Sequence, residues 1–305
     1  MLDVRRLRLL HEFQLRGTMA AVAGAMSYSP SFISQQMALL ERETGVSLLR
    51  RNGRRVQLTA QGELLATRAG EILDRLERAE AEMAAQTATI SGTVRLAVFQ
   101  SVAHTVLPRA LALLSAEHPQ LRVEIVEREP ELGLFETTAR DFDLVVAEQY
   151  PGMRRQQRSG IDRITLGEDE LLLVGARSGR HRMGGIADAA TAPWVMEPRG
   201  TTSRSWVTQV CRAAGFEPDV RFETPDLVTH LRLIERGEAV GILPALFLAS
   251  MSSDVVVHAL PVAARREVFS AARIAAAPAP SITAVRAALS MAYAEVIREM
   301  PAAAS

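Results

Sequence analysis

The chain contains no lysine: its 35 basic residues are all arginine, and 35 acids balance them to a formal net charge of zero. A single cysteine, Cys211, excludes an intramolecular disulfide and any site built on paired cysteines. Its surroundings, "SWVTQVCRAAGF", read as a helix that packs a small thiol in the core, so a reactive thiol is not expected. The six histidines are far apart, with no H-x-x-x-H or H-E-x-x-H pair, so neither a metal nor another cofactor is expected. No apolar run reaches the ~18 residues needed to span a bilayer. The start, "MLDVRRLRLLHEF", sets charges among its leucines, unlike the apolar stretch of a secretory signal. The expectation is a cytoplasmic protein without a membrane partner. G-x-S-x-G, G-x-G-x-x-G and Walker patterns are absent too, which argues against an enzyme.

What is present is unevenly placed. A length of 305 residues, 48% of them hydrophobic, calls for more than one domain with a sizeable core. Residues 1–59 hold nine arginines against Asp3, Glu12, Glu41 and Glu43, a net of +5, and the remainder carries −5. A basic head on an acidic body points to a polyanionic partner for the head alone.

The head reads as three short helices and a hairpin. Val4, Leu7, Leu10 and Phe13 have helical spacing, and Gly17 closes that helix. Thr18 offers an N-cap for "MAAVAGAM". A third helix begins near Ser29, with Pro30 tolerated in its first turn; Phe32, Ile33, Met37 and Leu40 are its inner stripe, and Gly45 ends it. Asn52–Gly53 between "SLLRR" and "RRVQLT" is a hairpin signal. The pattern predicts a winged helix-turn-helix. A helical docking module is the alternative, but the third helix presents serines and glutamines, and the hairpin carries Arg50, Arg51, Arg54 and Arg55.

Thr59 begins a helical segment running to about residue 90, with Leu65, Ile72, Leu76, Ala79 and Met83 on roughly one face. Such a stripe asks for a partner helix, the alternative being packing on its own chain. From Ser91 strands and helices alternate: "GTVRLAVF", a helix over 101–119, "LRVEIVER", a helix, "FDLVVAEQ", and onward to a closing helix near Ile282–Met300. Alternation of this kind predicts a parallel sheet covered by helices.

The pieces "RGTMAAVAGAMSYSPSFISQQMALLERETGVSLLRR" and "GRRVQLTAQGELL", with the leucine-rich first helix, closely resemble the DNA-binding head of LysR-type transcriptional regulators. The rest of the chain fits that family's effector-sensing half, two α/β subdomains similar to periplasmic binding proteins. The resemblance implies an α/β protein with an all-α-plus-wing head: a winged helix-turn-helix over 1–59, a linker and dimerisation helix over 60–90, and a two-subdomain effector domain over 91–305. Its first subdomain would comprise 91–162 and 264–305, its second 163–263. The implied function is a DNA-binding regulator controlled by a small molecule and working as a homodimer or homotetramer. A small-molecule binding protein whose head docks other proteins is the second reading. Where the family usually reads Ser-Gln-Pro-Ala-Leu-Ser-Arg-Gln, this chain reads Ser29-Pro30-Ser31-Phe32-Ile33-Ser34-Gln35-Gln36, so its base preference is its own.

Candidate DNA contacts are Thr18, Ser29, Ser31, Ser34, Gln35 and Gln36, with Arg51, Arg54 and Arg55 on the wing. Glutamine pairs with adenine edges, serine bonds bases or phosphates, and wing arginines track the backbone. Phe32, Ile33 and Met37 are expected to hold the helix against its own domain. Effector candidates sit where strands end and helices begin: Gln100 and Ser101, Glu148, Thr201 and Thr202, Thr224 and Asp226. Ser101 is expected to face Thr201–Thr202 across a cleft and to hold a carboxylate effector, with Glu148 selecting a cation instead as the second reading. For each serine or threonine, simple helix capping is the alternative. Strand crossings are expected near Tyr150–Arg163 and Pro261–Glu267.

Overall fold

The computed structural model describes the chain apart from residues 54, 154–159, 179, 180, 182, 262, 263 and 301–305. Three helices open it. In α1 (Val4–Arg16) the Asp3 carboxylate accepts from the Arg5 N–H, and Gly17 closes the helix in the left-handed region. The Thr18 hydroxyl caps α2 (Met19–Met26), and the Ser29 hydroxyl caps α3 (Pro30–Thr44), which ends at Gly45 with φ 69°. The hairpin pairs β1 (Leu49–Asn52) with β2 (Arg55–Leu58), Leu49 opposite Leu58 and Asn52 opposite Arg55. One oxygen of Glu41 accepts the N–H groups of Leu48 (2.8 Å) and Leu49 (3.0 Å), which fixes the wing to the end of α3. Leu7, Leu10, Phe13, Ile33, Met37, Leu40 and Leu48 form the buried core.

Thr59 caps α4 (Ala60–Ala84). At ~1.5 Å per residue the rod is about 37 Å long. It stops short of residue 90, because "TATIS" brings β-branched residues and hydroxyls that compete for helix carbonyls. Thr87 accordingly donates its hydroxyl to the Ala84 carbonyl at 2.7 Å. One face of α4, burying Ala66, Ala69 and Leu73, packs on α1 within the chain. Two glycines permit close approach, Gly62 to the segment just before β1 and Gly70 to α1. A Cβ on Gly62 would lie 2.1 Å from the Leu48 carbonyl oxygen, and one on Gly70 2.8 Å from the His11 ring. The other face leaves Leu64, Ile72, Leu76 and Met83 exposed.

The second half contains β3 (Gly92–Val98), α5 (Gln100–His104), α6 (Val106–Glu117), β4 (Leu121–Glu127), α7 (Pro130–Thr138), β5 (Leu144–Gln149) and the long β6 (Ile161–Ala176). Then follow β7 (Pro193–Met196), α8 (Thr202–Ala213), β8 (Asp219–Glu223), α9 (Leu227–Glu235), β9 (Gly241–Pro244), α10 (Ala245–Ala249), β10 (Val255–His258), β11 (Arg265–Arg273) and α11 (Pro280–Glu299). The single helix expected over 101–119 is broken at Thr105, whose hydroxyl donates to the Ser101 carbonyl at 2.6 Å.

The sheet is mixed, which corrects the parallel expectation. Among the described residues its order is β10-β6-β11-β5-β3-β4, with β9 also on β6. β3 runs parallel to β4 and β5, whereas β11 is antiparallel to both β5 and β6. The reason is the route of the chain. β6 leaves one lobe, β11 returns to it alongside, and neighbours running out and back are antiparallel. Passage between lobes thus happens along these strands, from Arg265 opposite Glu170 to Arg273 opposite Ile161. Of the two expected crossings, 154–159 and 262–263 lie outside the described residues. One lobe's core joins β3, β5 and β11 to α6 and α11 (Leu96, Leu144, Val268, Leu289, Tyr293); the other is built on Trp194, Trp206, Leu173 and Val240. A parallel pair, β7 and β8, completes the second lobe.

Candidate functional site

On the head, Ile33, Met37 and Leu40 turn α3 inward, leaving Ser31, Phe32, Ser34, Gln35 and Arg42 exposed. Ser29 and Ser31 pair hydroxyl to hydroxyl at 2.9 Å, and Ser29 accepts from the Phe32 N–H at 3.2 Å. Thr18 is exposed and accepts from the Ala21 N–H. Two expectations need correction. Phe32 does not hold α3 to its domain: it is exposed and stacks at a tilt on Tyr28, ring centroids 4.6 Å apart. Gln36 is half-buried on the flank facing α1, where its side-chain oxygen accepts from Arg6 at 3.5 Å; Gln35 occupies the outer face.

Strand alternation sorts the wing. Arg51 shares a face with the half-buried Val56 and Leu58, while Arg50 and Arg55 share the opposite, exposed face with Gln57. Arg54 lies outside the described residues. Arg42 in α3 and Arg50 in β1, not among the candidate DNA contacts, are also exposed and extend the basic surface of Arg51 and Arg55. Their outward phase in α3 and β1 was the signal.

The second candidate region lies between the lobes. Ser101 follows β3, Glu148 is next to last in β5, Asp169 lies in β6, and Arg266 is second in β11, directly opposite Asp169. The buried guanidinium of Arg266 donates to Asp169 at 2.9 and 2.7 Å, to the Ser101 hydroxyl at 2.6 Å, and to Glu148; it also sits over the Phe99 ring at 5.1 Å. Ser101 is 0% exposed. Its hydroxyl is therefore committed to Arg266 and does not face Thr201–Thr202 across open space.

Direct bonds already join the lobes. The Gln100 side chain accepts the Leu227 N–H at 2.6 Å and donates to Asp226 at 3.4 Å. Thr202 donates to Glu131 of α7 at 3.1 Å. Thr201 caps α8 through the Arg204 N–H, and Asp226 caps α9 through Val228 and Thr229. The Thr224 carbonyl takes the ring nitrogen of His230 at 2.8 Å. Hydrogen bonding to the Thr229 hydroxyl, ahead of its other contacts, holds the Asp226 carboxyl below its ordinary range.

Sequence reasoning missed Arg266, Asp169, Tyr150 and Glu197. A signal existed for the first two. Arg266 is in phase with the inward Val268 and Ser270, and Asp169 with Leu171 and Leu173. Burial, then the charge of Glu148, pushes the Glu197 carboxyl up to about 7, against the opposing effects of Ser203 and Arg266. The same burial and Glu148 raise the Tyr150 phenol. A cavity of about 20 Å³, the size of one water, lies beside Glu197, Tyr150, Ser203 and His230. No helix among the described residues is long and apolar enough to cross a membrane.

A winged head with a polar helix and arginine hairpin, joined by a helical rod to a two-lobed α/β body, is the architecture of a ligand-responsive DNA-binding regulator. Residues 4–63 match the bacterial regulatory helix-turn-helix protein, lysR family, and residues 87–294 match the LysR substrate binding domain. The chain belongs to the LysR family: it is a DNA-binding transcriptional regulator with an effector-binding domain. Among similar proteins, a probable hydrogen peroxide-inducible genes activator of Mycobacterium leprae is 28% identical over 234 residues, covering 75% of this chain and 73% of that one. The transcriptional dual regulator GltC of Bacillus subtilis is 24% identical over 243 residues, 80% and 81% of the two chains. In fold, a full-length OxyR variant of Pseudomonas aeruginosa matches with TM-score 0.65 at 16% identity, over 100% and 99% of the chains. CbnR in complex with its target DNA matches with TM-score 0.53 at 23% identity, over 94% and 100%.

Proposed function

We propose that this regulator is a cytoplasmic homo-oligomer, not an enzyme, that binds promoter DNA through α3 and the wing. Residues 1–59 form the head, the segment after it pairs with its twin, and 91–305 sense the effector. Ser31, Ser34 and Gln35 meet base edges, while Thr18, Ser29, Arg42, Arg50, Arg51, Arg54 and Arg55 meet phosphates. The observation that carries this reading is the polar outer face of α3 beside an arginine-bearing hairpin, with the unpartnered apolar stripe of α4 to bring two heads together.

The effector belongs between the lobes, among Gln100, Glu148, Thr202 and Asp226. A carboxylate fits this wall poorly: the donors of Arg266 are engaged by Glu148, Asp169 and Ser101, and Glu131 adds a further carboxylate. A cationic effector is the better match. Peroxide, suggested by the names of relatives, finds no support in thiol chemistry here. Cys211 is buried, and burial followed by Glu217 pushes its thiol up to about 12.

Footprinting of the full chain on the DNA upstream of its own coding sequence tests both halves. Protection of a two-fold symmetric site that shifts with an amine, and not with a carboxylate, is the expected result. A chain that protects no sequence in preference to any other overturns the proposal.

A further inference from the structure

The outer surface of the recognition helix carries an unexpected apolar feature. Phe32 is the third residue of α3 and is 37% exposed; Tyr28, just ahead of the cap, is 48% exposed and stacks on it. The core does not require either ring, since Ile33, Met37 and Leu40 already seal the inner face at 0–1% exposure. The contact with Tyr28 braces the phenyl ring at the start of the helix and still leaves more than a third of it open to solvent. Ser29 accepts the Phe32 N–H and pairs with Ser31, which fixes the first turn on which the ring is carried. The exposed surface at this end of α3 thus includes a phenyl ring with nothing to hydrogen-bond.

In a helix-turn-helix the N-terminal end of the second helix is the part that reaches base edges. Those edges present donors, acceptors and one apolar group, the 5-methyl of thymine. A phenyl ring pressed on a polar edge strips water from donors and acceptors without replacing the lost bonds. Against a methyl it buries apolar surface on both sides. We propose that Phe32, braced by Tyr28, reads the 5-methyl group of a thymine in each half-site. The proposal rests on the assignment of α3 to the major groove.

The test separates the two. The preferred site of the full chain is first selected from random DNA, and each thymine in it is then replaced by 2′-deoxyuridine, which removes the methyl alone. One replacement in a single half-site should weaken wild-type binding about 3- to 5-fold, the effect expected for one buried methyl group. Phe32→Ala should bind the methylated and unmethylated sites equally, and Phe32→Leu should regain part of the discrimination. A Phe32→Ala chain that still senses the same methyl, or a wild-type chain indifferent to every thymine methyl in its selected site, overturns the proposal alone. A wild-type chain that selects no sequence overturns the groove assignment with it.

Discussion

Arg273 of β11 donates to Glu77 of α4 at 2.6 Å, and the same guanidinium reaches the carbonyls of Thr137 and Phe142, each at 2.6 Å. Arg140, held at φ 62° in the left-handed region, binds Glu77 and Asp74 from the other side. Arg16 of α1 extends the seam, donating to Glu12 at 2.7 Å and to Asp141 at 2.6 Å. Strand β11 therefore carries the cleft arginine, Arg266, near one end and the arginine that docks the linker helix at the other.

The Glu77 contact makes a pH prediction. Burial alone would raise its carboxyl, but hydrogen bonds and charge from Arg273 and Arg140 outweigh it and leave the net shift downward from 4.5. A depressed carboxylate stabilises the fold above its unfolded value, and that stability is lost as pH falls through the lowered folded value. Thermal unfolding of wild type should weaken below about pH 4.5, and Glu77→Gln should flatten that acid limb. An unchanged acid limb in Glu77→Gln would show that this docking contributes nothing.

Glu197 works in the opposite sense. Its folded value of about 7 stands above the ordinary 4.5, so the protonated form is favoured by folding. That stability is complete below 4.5 and disappears as pH rises through about 7. The melting temperature should fall between about pH 4.5 and about pH 7, and Glu197→Gln should remove the fall. A wild-type melt that is flat over this range would refute the assignment.

On α4, Leu64, Ile72, Leu76 and Met83 are exposed while Ala66, Ala69 and Leu73 serve the chain's own core. Replacing Ile72 and Leu76 with Asp should therefore yield folded monomers in sedimentation, with weakened binding to a two-half-site DNA. Oligomers of unchanged mass would assign the stripe another role.

For DNA, Gln35 is exposed where Gln36 is half-buried, so Gln35 is the base reader we propose. Gln35→Ala should cost ~1–3 kcal/mol at the preferred site and little elsewhere. Arg55→Ala should weaken all sequences alike and lower the log–log salt slope by about one. Anisotropy titrations across a salt series distinguish these patterns, and equal losses on specific and random DNA in Gln35→Ala would exclude it from base reading.

Local rules settled the head from sequence. Thr18, Ser29 and Thr59 cap the helices they were expected to cap, Gly17 and Gly45 end theirs, and Asn52–Gly53 turns the hairpin. These outcomes depend on backbone geometry within a few residues, which side-chain type dictates directly. The strand–helix alternation likewise revealed an α/β body. Strand direction was not legible, because whether β11 runs with or against β5 depends on a route through more than a hundred intervening residues. The same holds for the cleft. Ser101 looked like an open hydroxyl at a helix start until Arg266, 165 residues away, proved to occupy it. Capping and periodicity are properties of a local segment; which charges meet in a buried cleft is a property of how the strands are ordered, and only the folded chain fixes that.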